Sequence, residues 1–241
     1  MISVPFIIVH TGRTGSSLLC SLLDSTGKVG HVNEHLNKIF DKESLYENDE
    51  ILSGFDQCYK YSCNMPNSSG KWGIKCNNYY LFFLKRFLDI RGAKMADAKW
   101  IYVKRRNSLL QAASLKTAEK TQVWYMKKGD DRQSPTIDIS HEELLAHTGR
   151  VVRDGLVLDS FFDQNHIVPH TIYYEDFRDE HRWSETVASV FDFLGVDYQS
   201  PIKVSTDLVK QTKEINSRYV SHIRGYISRR RIPVTLDGDL A

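Results

Sequence analysis

Two short stretches carry side chains suited to gripping anions. Gly12-Arg13-Thr14-Gly15-Ser16-Ser17 combines a guanidinium, three hydroxyls and two glycines. A guanidinium holds phosphate or sulfate oxygens by paired hydrogen bonds, hydroxyls add donors, and glycine lets backbone N–H groups approach closely. Lys104-Arg105-Arg106 forms a second basic cluster, with Ser114 about two and a half helical turns beyond Arg105. One site for each end of a bis-phosphorylated nucleotide would account for both stretches. Each also has a plainer reading, a Gly/Ser turn in the first case and a solvated charge cluster in the second.

These stretches need elements to hold them. Phe6-Ile7-Ile8-Val9-His10 is short, apolar and β-branched, as a strand buried on both faces must be, and Leu18, Leu19, Leu22 and Leu23 then follow helical spacing. The first basic stretch therefore sits between a strand and a helix, where unpaired N–H groups and the positive helix end favour an anion. Trp100-Ile101-Tyr102-Val103 reads as another buried strand, running through the second basic stretch into a helix over 108–121. Residues 72–76 predict a strand, 81–88 a helix, and 167–174 a further strand. A helix over 183–194 is stopped by Gly195, and a last one is expected over 215–227. Ser140-His141-Glu142-Glu143 matches a capping box opening a long helix. Strands alternating with helices predict an α/β fold, a mainly parallel sheet flanked by helices, with ligands at the strands' C-terminal ends.

Between 48 and 70 the chain reads as polar and irregular, an excursion beside a second substrate; 127–139 has the same expectation. A tail from about 228 is expected to fray. The whole of 1–241 is expected to be a single domain.

Composition narrows the function. With 32 basic and 30 acidic residues the net charge is +2, so nucleic acid is not the expected partner. No run approaches the roughly 20 apolar residues of a membrane helix, and the first residues lack a signal peptide's basic start. Cys20, Cys58, Cys63 and Cys76 show no Cys-x-x-Cys pair, which suits free thiols in a cytoplasmic protein and argues against structural zinc. Nine histidines include no His-Glu-x-x-His pair, so no metal is expected. The first loop lacks the Gly-Lys-Ser/Thr ending of a nucleoside triphosphatase, which tells against a nucleotide or small-molecule kinase. A non-catalytic nucleotide-binding protein would keep the loops.

Four ordered stretches resemble the bacterial carbohydrate sulfotransferase family that includes trehalose 2-sulfotransferase and lipopolysaccharide or nodulation-factor sulfotransferases. They are Thr11-Gly12-Arg13-Thr14-Gly15-Ser16-Ser17-Leu18-Leu19; residues 30–34; Trp72-Gly73-Ile74-Lys75; and residues 105–111 with 114–124. The resemblance implies a P-loop-like three-layer fold and a donor, 3′-phosphoadenosine 5′-phosphosulfate, used without metal. Its acceptor would be a carbohydrate or glycolipid hydroxyl. It implies that Arg13, Thr14, Gly15, Ser16 and Ser17 hold the 5′-phosphosulfate, that Arg105 and Ser114 hold the 3′-phosphate, and that Glu34 is the catalytic base. Lys75 is a candidate second cation beside Arg13, with the ordinary lysine of a strand end as the alternative.

His10 and His31 are candidates to line the site. Trp124, Tyr79, Tyr80, Tyr173 and Tyr174 could stack on adenine or sugar, or be core. Glu175 and Asp176 are expected to be structural. Relatives include homodimers, so a homodimer is the expectation. The chain departs from the family at Arg106 and Asn107, where proline and aspartate are common. It departs again at His31, where the trehalose-specific member is acidic.

Overall fold

The computed structural model describes residues 3–40, 44–130 and 137–209, with Ser221 and Gly225. In chain order the elements are β1 (Phe6–His10), α1 (Ser16–Asp24), α2 (Leu36–Ile39), α3 (Asn48–Cys63), β2 (Gly73–Asn77), α4 (Leu81–Ile90) and β3 (Trp100–Lys104). There follow α5 (Ser108–Thr121), β4 (Met126–Lys127), α6 (His141–Gln164), β5 (His170–Tyr173), α7 (Tyr174–Phe177), α8 (Trp183–Leu194) and β6 (Leu208–Val209). The chain divides into two compact units, residues 1–104 with 156–206 and residues 105–155 with 207–241.

The first unit is built on a four-stranded parallel sheet in the order β2-β1-β3-β5. Side chains along a strand alternate between faces, and the core divides accordingly. Ile7, Val9, Ile74, Cys76, Trp100 and Tyr102 join the layer formed by α3, α4 and the end of α6, where Phe55 stacks on Phe87 at 4.1 Å. Phe6, Ile8, Ile101, Val103 and Ile172 join the opposite layer with α1 and α8. This is the three-layer α/β arrangement expected from the alternating pattern. Register then decides the site: Ile8 pairs with Lys75 and His10 with Asn77, so His10 and Lys75 share the α1 face, two positions apart.

In the second unit Ala112, Ala113 and Leu115 of α5 pack with Ile139, Leu144 and Val151, and β4 pairs antiparallel with β6. Ser140 and Glu143 exchange the two bonds of the capping box, at 3.1 and 3.0 Å. Asn107 caps α5, its side-chain oxygen accepting from Leu110 N–H at 2.9 Å.

Three expectations need correction. Residues 48–63 are a regular helix rather than an irregular excursion. Ile51, Phe55, Cys58 and Ser62 recur at helical spacing and are buried, and Glu47 with Glu50 closes a capping box. The strand expected over 167–174 is shorter, because Val168 lies 90% exposed and Tyr174 already opens α7. Lys75 is not at a strand end but third of five residues in β2, and its side chain is buried. The helix expected over 215–227 falls mostly outside the described residues, as do the tail from 228 and residues 131–136 of the 127–139 segment.

Candidate active site

The turn between β1 and α1 is left-handed at three positions, with φ of 82° at Gly12, 55° at Arg13 and 81° at Gly15. Turns of this kind can present backbone N–H groups to an anion, although that of Gly12 is already given to His10 Nδ1. Gly15 is irreplaceable on a second count, since a Cβ there would meet the Tyr174 ring 2.4 Å away. Tyr174 is thus a wall of the loop. No side chain caps α1, so the N–H groups of its first turn take no side-chain acceptor from the cap position, and a helix start of this kind favours an anion. Thr14 Oγ1 is buried and has no hydrogen-bond partner among the described residues. A hydroxyl left so is costly unless a ligand satisfies it, and an anionic oxygen would.

A second loop, residues 30–34, is fastened at almost every polar group. Gly30 N–H donates to Lys71 O at 2.9 Å, His31 N–H to Ser62 O at 2.6 Å, and Lys75 N–H to Asn33 O at 3.1 Å. Asp24, the last residue of α1, accepts from Val32 N–H at 2.9 Å and pairs with His31 Nδ1 at 2.5 Å. Gly30 is required here because a Cβ would lie 2.6 Å from Ser62 Oγ. His31, expected to line the site, is therefore a fastener of this loop, with its other ring nitrogen 3.4 Å from Asn33 Nδ2.

The fastened loop delivers Glu34 to the β1–β2 end of the sheet. Lys75 Nζ donates to Ser17 Oγ at 2.9 Å and lies 3.2 Å from Glu34 Oε1, joining the helix-start hydroxyl to the carboxylate. His10 accepts Gly12 N–H at Nδ1, 3.0 Å away, and places Nε2 3.1 Å from the same Glu34 oxygen. That second contact is close but poorly directed, since Nε2 has no well-aimed acceptor. Asn37 donates to Glu34 Oε2 at 3.0 Å.

Partial burial pushes the Glu34 carboxyl up, but the His10 contact and the Lys75 charge outweigh it and pull it from 4.5 down to about 2. Burial holds His10 below its ordinary value, hence neutral, as its accepting Nδ1 requires. Burial raises the Cys20 and Cys76 thiols to about 12, which makes them inert packing groups.

The structure thus gathers Arg13, Thr14, Gly15, Ser16, Ser17, Glu34 and Lys75 in one unit. Arg105, following β3, and Ser114, buried on α5, belong to the other. Of the aromatic candidates, Tyr80 is core, while Tyr79 and Trp124 are each 45% exposed. Asp24, Ser62 and Asn37 were not foreseen, since short polar residues at such positions carry no local signal. Among the described residues no cluster of His, Cys, Asp and Glu is placed to hold a metal ion, and no helix is long and apolar enough to cross a membrane.

A parallel α/β sheet with a left-handed, glycine-containing turn after its first strand and a tethered carboxylate beside it is an arrangement with the groups to receive an anion and to accept a proton. The chain belongs to the Stf0 sulphotransferase family, whose model matches residues 85–225. No curated protein matched the chain. The matched stretch begins beyond the turn after β1, Glu34 and Lys75.

Proposed function

We propose that this sulfotransferase moves a sulfuryl group from 3′-phosphoadenosine 5′-phosphosulfate to a hydroxyl of a carbohydrate or glycolipid, in the cytoplasm. The observation that carries the reading is Lys75, one ammonium shared between Ser17 at the anion loop and the carboxylate of Glu34. The loop, with Arg13, Thr14, Ser16, Ser17 and the N–H groups around Gly15, suits the 5′-phosphosulfate. By the family resemblance Arg105 and Ser114 take the 3′-phosphate.

Sulfuryl transfer demands in-line placement and stabilisation of the leaving phosphate more than covalent help from the protein. In this reading Glu34 accepts the proton of the acceptor hydroxyl while the acceptor oxygen bonds to sulfur. The bond from sulfur to the bridging oxygen breaks, and 3′-phosphoadenosine 5′-phosphate leaves with its charge met by Arg13 and Lys75. A carboxylate held at about 2 is ionised but weakly basic. A donor anion beside Ser17 competes for Lys75, so Glu34 gains proton affinity when the donor is in place.

Calorimetry tests the donor assignment. Binding of 3′-phosphoadenosine 5′-phosphate without magnesium, weak binding of magnesium-ATP, and a marked loss in Arg105→Ala are expected. Preference for magnesium-ATP, or no binding of either, would sink it.

A further inference from the structure

His10 is a buried polar side chain to which the chemistry above assigns no task. It ends β1 at 4% exposure, on the face of the sheet that carries Lys75. An imidazole buried only for packing has no need of a charged neighbour. This one touches both halves of the site: its Nδ1 takes the N–H of Gly12, in the left-handed turn, and its Nε2 faces Glu34 Oε1. With Nδ1 accepting, the proton of the neutral ring must sit on Nε2, the nitrogen turned to the carboxylate.

We propose that His10 is a positioning residue that ties Glu34 to the anion loop through its two ring nitrogens, so that the backbone receiving the donor also aims the base. The inference rests on the sulfotransferase reading of Glu34 and the loop. Lys75 alone cannot set this aim. Its ammonium is a point charge on a flexible stem with three rotatable donors, whereas the imidazole is rigid and its two nitrogens have fixed directions. Lys75 is moreover shared with Ser17, which a donor anion would contest. His10 Nε2, 3.1 Å from Glu34 Oε1, makes no contact with Ser17 that a donor anion would contest, and Asn37 donates to Oε2. The imperfect aim of Nε2 fits a contact that tightens once the loop is loaded, as catalytic hydrogen bonds commonly do.

Two substitutions separate the nitrogens. His10→Asn sets an amide oxygen where Nδ1 stands and gives up the reach to Glu34; His10→Gln reaches Glu34 and gives up the acceptor for Gly12. Two readouts need no acceptor substrate. One is the calorimetric affinity for 3′-phosphoadenosine 5′-phosphate. The other is the titration of the Glu34 carboxyl by isotope-edited NMR, with Glu34→Gln identifying its resonance. His10→Asn should keep the nucleotide affinity near wild type and raise the Glu34 midpoint by about one pH unit or more. His10→Gln should leave the midpoint near wild type and weaken the nucleotide roughly 5–10-fold.

An unmoved midpoint in His10→Asn, or equal loss of both readouts in both variants, as a packing histidine would give, overturns the proposal. If wild type fails to bind the nucleotide, the donor reading falls. The midpoints still decide whether His10 holds Glu34.

Discussion

The two loops that meet at Lys75 are built on opposite plans. The turn after β1 is held in left-handed backbone, starts a helix with no side-chain cap, and leaves the buried Thr14 hydroxyl without a partner among the described residues. Residues 30–34 are instead fastened by Asp24, Ser62, Lys71 and the backbone of β2. On the proposed function, the contrast separates two demands of group transfer. A site for a mobile anion must hold donors in reserve, whereas a base must have its direction fixed by groups already satisfied.

The largest effect that would test this contrast is on turnover. Glu34→Gln should lower transfer of labelled sulfuryl group from the donor by about 10²–10⁴-fold. It should leave the affinity for 3′-phosphoadenosine 5′-phosphate intact; a parallel loss of affinity would mean that Glu34 belongs to the donor site.

Thr14→Val comes next. Losing a hydroxyl that bonds a charged ligand should weaken the nucleotide roughly 10–100-fold. The free protein should melt at the same temperature or higher, because the variant removes an unsatisfied buried oxygen. A lower melting temperature with unchanged affinity would show that the loop holds no reserve. Asp24→Ala strikes the other loop. It orphans Val32 N–H and His31, and should cost about 1–3 kcal/mol in urea denaturation. Turnover should fall with it, while nucleotide affinity is retained.

The smallest effect concerns pH. Glu34 lies at about 2 when folded against an ordinary 4.5, so its stabilising contribution is complete above about pH 4.5 and drains away as pH falls toward 2. Lys75→Met removes one of the two groups that hold it down. Denaturation of the variant between pH 5 and 3 should therefore show a shallower loss of stability from this carboxylate than wild type. Identical pH profiles would deny that Lys75 and Glu34 are paired in solution.

Much of the fold was legible because the signals were local. Continuous apolar runs marked β1 and β3, the Ser140/Glu143 pair marked the start of α6, and Gly195 marked the end of α8. The third helix was missed because only a narrow face of Asn48–Cys63 is buried, and Gly54 and Ser62 on it are not apolar signals. Gly54 is small there because the Phe40 ring occupies the space of its Cβ. The site was legible in part. The glycine-containing turn after β1 shows within six residues, but Lys75 meets Ser17 from 58 residues away. That pairing depends on strand register, which residue types alone do not reveal. Glu34 stood out through resemblance alone, because nothing in its neighbours shows that two buried side chains will seize one of its oxygens.

The bond from Lys75 N–H to Asn33 O has a consequence beyond catalysis. β2 is the terminal strand of its sheet, and a bare terminal strand offers its backbone to any passing chain. The segment that carries Glu34 lies along that strand and occupies this outward donor. Damage that loosens residues 30–34 would therefore expose a template for intermolecular strand pairing as well as displace the proposed base, Glu34. Variants such as Asp24→Ala should precipitate more readily than their loss of stability alone accounts for, so solubility and activity are guarded by the same stretch of chain.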